Sequence, residues 1–375
     1  MIKYWEYSKE YKKLRSNILI NIDKVFKSGK LFFGNQLLKF ENSFVKYNKA
    51  KFGLGVASGT DALIIALKSF DITYGDEVIT VANTAIPTVA SIVNVGATPV
   101  FVDIGKDCLM DVSKIENKIT KKTKAIIAVH LYGQMCNMDK IIQISKKYKL
   151  IVIEDCAQSC GAIYRNKKSG TLGDVGCFSF YPTKILGSYG DAGFIIFRNK
   201  KKFEKARRLR FYGLETNNKK NKWNKKYYSF ESGINSRLNE IQASILNIKI
   251  KFLENFINKR IEIANFYNKN LKDLKLIVPE IKKSNRHVFH IYPILVDNRD
   301  EMIRELKDKK VEVNVNYPIP IHKMKAYKKY VCKDCDCLPL TERYANKIVS
   351  LPIYPDIEKK KLNKIVAQIK KTNNF

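Results

Sequence analysis

Three short segments hold residues whose chemistry depends on where they are placed. In Phe178-Ser179-Phe180-Tyr181-Pro182-Thr183-Lys184-Ile185-Leu186-Gly187 an apolar run ends near Phe180 and Pro182 stops it. Lys184 therefore stands just past a strand end, among small and apolar neighbours, with Gly190-Asp191-Ala192-Gly193 as a glycine-rich return. A lysine in a partly desolvated place can lose its proton and form a Schiff base. Leu150-Ile151-Val152-Ile153-Glu154-Asp155-Cys156-Ala157-Gln158 reads as a buried parallel strand that delivers Glu154 and Asp155 at its carboxyl end, where open α/β sheets bind ligands. Ala57-Ser58-Gly59-Thr60-Asp61-Ala62-Leu63 follows another apolar run and opens a helix, whose unpaired N–H groups and dipole make a cup for an anion.

Each segment also has a plainer reading. Ser58 can cap a helix without any ligand, Asp155 can cap the next turn, and one lysine is weak testimony among 69 Lys and Arg. Their conjunction is more specific. A phosphate cup, a strand-end carboxylate and an amine, in that order on one α/β unit, are what pyridoxal 5′-phosphate needs: an anchor, an acid to keep the pyridine nitrogen protonated, and a partner for the aldehyde.

The elements that must position these residues are legible between residues 52 and 200. Apolar runs at Phe52–Val56, Glu77–Val81, Pro99–Val102, Ala125–Val129, Leu150–Ile153, Gly176–Phe180 and Gly193–Phe197 alternate with helical stretches at Thr60–Phe70, Thr84–Val95 and Met138–Tyr148. This alternation predicts βαβ units and a seven-stranded, mainly parallel sheet in one large domain. A long helical period over Ser236–Leu271 leads away from it, and strand-like runs at Val288–Val296 and Val311–Val315 with a final helix near Ile357–Lys371 predict a smaller α+β domain. The expected division is 1–240 for the large cofactor-binding domain, with its first residues packing on the small domain, and 241–375 for the small C-terminal domain.

Length and composition set outer limits. With 375 residues, 45% hydrophobic and 28% charged, the chain can bury a large core and is not of disordered composition. No apolar run approaches the ~20 residues that span a bilayer, and the start lacks a basic-then-apolar leader, so a cytoplasmic protein without a membrane partner is expected. The eight cysteines are scattered, as for reduced thiols. Cys332, Cys335 and Cys337 lack a fourth ligand and a second pair, so no metal is expected.

The net charge of +33 raises nucleic acid as a partner. The excess is spread along the chain, however, and lysine arrives with abundant Ile and Asn, as a coding bias would produce. The densest run, 199–226, reads as a solvated helix followed by a basic loop, and no nucleic-acid partner is expected.

The ordered motifs Ser58-Gly59-Thr60-Asp61-Ala62-Leu63, Glu154-Asp155-Cys156-Ala157-Gln158, Ser179-Phe180-Tyr181-Pro182-Thr183-Lys184 and Gly233-Ile234-Asn235-Ser236-Arg237-Leu238, with Tyr317-Pro318-Ile319-Pro320-Ile321-His322, resemble the DegT/DnrJ/EryC1/StrS sugar aminotransferases over nearly the whole chain. The resemblance implies a fold-type I aminotransferase that uses pyridoxal 5′-phosphate. Lys184 would hold the cofactor aldehyde and be catalytic, Asp155 would pair with the pyridine nitrogen, and Gln158 would meet the ring hydroxyl. Ser58, Gly59, Thr60 and Ser179 would hold the phosphate, with Asn235 reaching it from a second subunit, so a homodimer with interfacial active sites is implied. A relative with histidine at the lysine position is a dehydratase, and Lys184 removes that reading.

Substrates implied by the resemblance are L-glutamate as amino donor and a nucleotide-linked ketosugar. Asn83-Thr84-Ala85-Ile86-Pro87-Thr88 resembles members that aminate the 3-position of dTDP-linked deoxysugars, although Ala85 stands where many members stack an aromatic residue on the cofactor. A 4-keto substrate is the alternative. The basic loop from Lys219 would steer the diphosphate, and Phe33, Tyr181, Arg237, Tyr317 and His322 are expected substrate contacts, structural packing being the alternative for each.

Overall fold

The computed structural model describes residues 1–215, 227–330 and 338–372. Its elements run α1 (Ser8–Lys27), α2 (Asn35–Asn48), β1 (Phe52–Val56), α3 (Gly59–Ser69), β2 (Glu77–Val81), α4 (Ile86–Asn94), β3 (Thr98–Val102), β4 (Thr123–Val129), α5 (Met138–Tyr148), β5 (Ile151–Asp155), β6 (Ile163–Tyr164), β7 (Lys167–Lys168), β8 (Val175–Ser179), β9 (Gly193–Phe197) and α6 (Lys200–Leu209). There follow α7 (Glu240–Lys249), α8 (Leu253–Leu271), β10 (Asn285–Arg286), β11 (Tyr292–Leu295), α9 (Arg299–Asp308), α10 (Pro339–Lys347), β12 (Ile348–Leu351) and α11 (Lys359–Thr372).

Seven strands form one sheet in the order β1-β9-β8-β5-β4-β2-β3. Every neighbouring pair from β8 to β3 is parallel, and β9 alone runs against its two neighbours. The carboxyl ends of β1, β5 and β8 therefore share one edge, and β9 begins there, with Gly193 opposite both Val56 and Ser179. A Cβ on Gly193 would stand 2.3 Å from the Ser58 carbonyl oxygen, so only glycine lets β9 enter beside the start of α3.

Between the sheet and α2, Phe44 packs within 5.1 Å of Phe178 and 4.8 Å of Phe194, ring centre to ring centre, and all three are fully buried. Each such side chain contributes about 1.5–3 kcal/mol by leaving water. This cluster fixes β8 and β9, and with them the loop that bears Lys184. A second cluster, including Tyr267, Tyr292, Ile294, Val349, Leu351 and Ile365, encloses the antiparallel pair β11–β12 under α8 and α11, and Ile2 joins it through a parallel bridge to Val311.

Three expected elements differ. The period over 236–271 is two helices separated by a 3-10 turn at Ile250–Phe252. The Asn239 side chain accepts from the Gln242 N–H and starts α7 there. Both helices bury an apolar stripe, so the periodicity runs unbroken across the turn. Within 288–296 only Tyr292–Leu295 is a strand: Phe289 is left-handed at φ 48°, and Arg260 takes the carbonyls of Phe289 and His290. Residues 311–315 make only isolated bridges, at Val311 and Asn314. Among the described residues no helix is long and apolar enough to cross a membrane.

Candidate active site

The cup forms where β1 gives way to α3. Ser58 caps the helix, its Oγ accepting from the Asp61 N–H at 3.1 Å. The Asp61 carboxylate accepts from Ser236 Oγ at 2.8 Å, and that same oxygen accepts from the Ala57 N–H. The turn is thus braced from outside, and the first N–H groups of α3 have no partner within the helix. A Cβ on Gly59 would lie 2.7 Å from Cβ of Ser179, so the end of β8 closes directly on the start of α3. Gly59, Thr60 and Ser179 are thereby brought together at the start of α3, where the free N–H groups and the helix dipole favour an anion.

The two adjacent carboxylates of β5 have separate tasks because side chains alternate along a strand. Glu154 Oε1 accepts from the N–H groups of Leu172 and Gly173, at 2.7 and 2.6 Å. Its Oε2 accepts from the Gly170 N–H and lies 2.9 Å from His130 Nε2, while His130 Nδ1 accepts from the Cys136 N–H. His130, Glu154 and Cys156 each bring a ligand atom within 4.8 Å of the others, but Glu154 and His130 are already committed to the fold. Asp155 is 5% exposed and only partly committed: Oδ2 accepts from Thr88 Oγ1 at 2.7 Å and Oδ1 from the Ala157 N–H at 3.1 Å. A carboxylate with about four acceptor sites keeps room for one strong cationic donor. Thr88 is itself held by Thr84, hydroxyl to hydroxyl at 2.9 Å.

Lys184 lies on a turn that begins at Tyr181, whose carbonyl accepts from the Lys184 N–H at 2.8 Å. A Cβ on Gly187 would be 2.2 Å from the Pro182 carbonyl oxygen, so the turn closes only around glycine. Burial pushes the Lys184 ammonium from 10.5 down to about 8, and the Asp155 carboxylate opposes that fall. About a tenth of the lysines are then neutral at pH 7, roughly 300-fold more than for an ordinary lysine.

Gln158 bridges distant segments. Its Oε1 accepts from the Tyr132 N–H at 2.8 Å and its Nε2 donates to the Tyr317 hydroxyl at 2.9 Å. Tyr132, buried and left-handed at φ 60°, donates through its hydroxyl to the Asn316 carbonyl.

The remaining expected contacts scatter. Tyr181 is exposed beside the Lys184 turn. Phe33 packs edge-on against Phe211 at 5.3 Å. Arg237 donates to Asn235 Oδ1 at 2.9 Å and lies over the rings of Phe32 and Phe211, at 4.2 and 5.1 Å, and Asn235 is exposed. His322 is buried, with Nε2 2.9 Å from Glu342 Oε1 and its ring in the cluster of Phe101 and Leu338. Lys219, the basic loop 219–226 and the Cys332–Cys337 segment lie outside the described residues. In the described part of the basic run, Lys202 and Lys205 pair with Asp71, Arg207 with Glu204 and Glu215, and Arg208 with Glu231. Residue-by-residue reading gave no part to Thr88, Tyr132 or Asn316, and it read His290 as strand packing. For Thr88 a signal existed, the i, i+4 spacing of Thr84 and Thr88 behind a strand end.

A parallel sheet whose strand ends gather an anion cup, a carboxylate with spare capacity and a lysine of depressed basicity defines a fold-type I enzyme built for pyridoxal 5′-phosphate, and the donor set fits that cofactor group by group. The sequence profile of the DegT/DnrJ/EryC1/StrS aminotransferase family matches residues 12–370, and the chain belongs to this family. It is 38% identical to the dTDP-3-amino-3,4,6-trideoxy-alpha-D-glucose transaminase of Micromonospora megalomicea subsp. nigra, over 98% of this chain and 97% of that protein. It is likewise 38% identical to the dTDP-3-amino-3,6-dideoxy-alpha-D-galactopyranose transaminase of Aneurinibacillus thermoaerophilus, over 93% of each. The crystal structure of S. venezuelae DesV superposes with a TM-score of 0.94 at 32% identity, covering 100% of this chain and 99% of that one.

Proposed function

We propose that the protein transfers the amino group of L-glutamate to the 3-keto group of a nucleotide-linked 6-deoxysugar, with dTDP as the nucleotide, giving a 3-amino-3,6-dideoxysugar nucleotide. The observation that carries this reading is a lysine of depressed basicity beside a free-sided aspartate, in a chain similar over more than nine-tenths of its length to transaminases of dTDP-linked 3-aminosugars. Pyridoxal 5′-phosphate supplies, when bound, an aldehyde for an amino group and a cationic ring that draws electrons from the adjoining carbon. Gly59, Thr60 and Ser179 hold the phosphate, Asp155 keeps the ring nitrogen protonated, and Thr88 and Ala157 fix the angle of that carboxylate. Lys184 would lie within reach of the cofactor aldehyde, and its Nζ would be the group that takes up and returns the proton of the substrate carbon. Its lowered basicity suits both acts near neutral pH. Gln158, aligned by Tyr132 and Tyr317, meets the ring hydroxyl.

The working form in this reading is a homodimer. Asn235 and Arg237 lie among exposed aromatic side chains, including Phe32, Tyr212, Tyr228 and Phe230, a surface suited to a second copy, whose phosphate Asn235 would reach. The test is incubation with L-glutamate and dTDP-linked 3-keto and 4-keto 6-deoxyhexoses, with the product read by NMR. Amination at C3 of the 3-keto sugar supports the reading, amination at C4 replaces it, and no amination of either ends it.

A further inference from the structure

The edge of the sheet opposite Lys184 holds a cavity of about 570 Å³. It lies where β5 and β8 begin and β9 ends: Lys146 is in the last turn of α5 just before β5, Leu172 precedes β8, and Arg198 follows Phe197, which pairs with Val175. Strands of five residues put this edge about 16 Å from the one that gathers the cup, Asp155 and Lys184. A ligand here would be out of reach of the reacting amine.

The wall of this cavity is basic. Lys49, Lys146, Lys167, Lys168 and Arg198 line it, and none of its lining residues is acidic. Across the chain 69 basic residues stand against 36 acidic ones, so a lysine-rich composition alone would leave carboxylates among them. Nor are these charges spent elsewhere. Among the described residues Lys49, Lys146, Lys167 and Arg198 form no ion pair, whereas Lys202, Lys205, Arg207 and Arg208 on α6 all do.

Two of the five cations are held in place. Lys168 Nζ donates to the Tyr47 carbonyl at 2.8 Å and lies 3.1 Å from the centre of the Tyr47 ring. Arg198 Nη1 donates to the Leu172 carbonyl at 3.2 Å, which uses one of the donors of its guanidinium. Burial lowers the basicity of Lys168, Glu254 at 4.0 Å opposes the fall, and the charges of Arg286 and Lys49 add to it. Helix ends offset the crowding only in part: α2 and α5 both finish at this wall, and their negative ends amount to about one charge, leaving an excess of about four.

An excess of that size is neutralised by a run of two or three phosphates and not by a single carboxylate, and lysine binds phosphate as a point charge. The volume suits a molecule the size of a nucleotide. Ile142, Ile163 and Leu172 give the same wall an apolar stretch on which a base or sugar could rest.

We propose that this cavity is a second, non-catalytic site that binds the polyphosphate chain of a small ligand through Lys49, Lys146, Lys167, Lys168 and Arg198. A nucleoside triphosphate and inorganic triphosphate share that chemistry, and the test separates them. The inference stands apart from the aminotransferase reading.

Isothermal titration calorimetry on the holoenzyme, whose phosphate cup is filled, measures the binding of ATP and of inorganic triphosphate. Wild type is compared with Lys146→Ala/Lys167→Ala in the cavity and with a control pair on α11, Lys364→Ala/Lys370→Ala. All four side chains are exposed, so the variants should fold, and cofactor uptake checks that they do. The expected result is binding at or below about 1 mM in wild type and in the control, weakened about tenfold in the cavity pair, the worth of one charge-assisted hydrogen bond. ATP held more tightly than triphosphate identifies a nucleotide as the ligand, and triphosphate held as tightly or more so identifies an inorganic polyphosphate; either supports the site. No binding of either up to about 1 mM, or equal losses in the cavity pair and the control, overturns it. Single-stranded DNA that binds more tightly than ATP and is released by the cavity pair also overturns it, because the wall would then belong to a nucleic-acid surface.

Discussion

Replacing Lys184 by methionine should make the cofactor-free protein more stable, and by an amount that depends on pH. The folded chain lowers the lysine from 10.5 to about 8. The unfolded chain therefore binds this proton more tightly, so wild-type stability is at its lowest below pH 8 and rises as the pH climbs towards 10.5. At ~1.36 kcal/mol for each tenfold step in acidity, the gap is worth at most about 3.4 kcal/mol at neutral pH. The side chain keeps some contact with water, which screens part of the cost, and about 2–3 kcal/mol is the expected gain. Methionine matches the length of the aliphatic stem and carries no charge. For a chain of this size that corresponds to roughly 3 °C in the unfolding midpoint at pH 7. At pH 9.5 most wild-type molecules have shed the proton, and the advantage should shrink to about 1 kcal/mol. Thermal unfolding of both proteins, stripped of cofactor, at the two pH values measures this. A methionine variant that is no more stable at pH 7, or whose advantage ignores pH, would show that Lys184 does not sit in the desolvated place described here.

Three other outcomes follow from the same geometry. Asp155→Asn removes the charge that, in the proposed reading, would face the ring nitrogen while leaving Thr88 a partner, so the protein should still take up cofactor while its transamination rate falls by about 10²–10³. Gly59→Ala places a methyl 2.7 Å from Cβ of Ser179, and the displaced cup should weaken cofactor binding about tenfold in a fluorescence titration, the equivalent of ~1.4 kcal/mol. Glu154→Gln puts an amide among three backbone N–H donors and should cost about 3 kcal/mol by denaturant unfolding, with the cofactor affinity of the folded protein changed only a few-fold.

What the sequence disclosed follows from what each residue contacts. Strands buried on both faces must be apolar throughout, so all seven can be read as short runs, displaced by no more than two residues at any end. The cup and the lysine turn were visible because glycine and proline mark both. The two β5 carboxylates were seen together, but their division of labour depends on Gly170, Leu172 and Gly173, whose N–H groups converge on Glu154 only after the chain has folded back. Long-range partners left no local trace: Glu240 accepts from the N–H groups of Gly34, Gln36 and Leu37, more than 200 residues earlier, and Tyr4 meets Asn316. His322 drew attention by its place in a proline-punctuated loop, and the residue that holds it, Glu342, is twenty positions away on α10.

Tyr132 has a consequence for how reactants come and go. Its amide and hydroxyl rivet Gln158 to the 316–317 segment, and Gln158 grips Tyr317 in turn, so these stretches can part only by surrendering all three bonds together. A clam-shell opening along that seam would have to break the bonds that hold Gln158 in place. The stretches around Tyr132, Gln158 and Tyr317 are therefore laced into a single body that would shift as a unit.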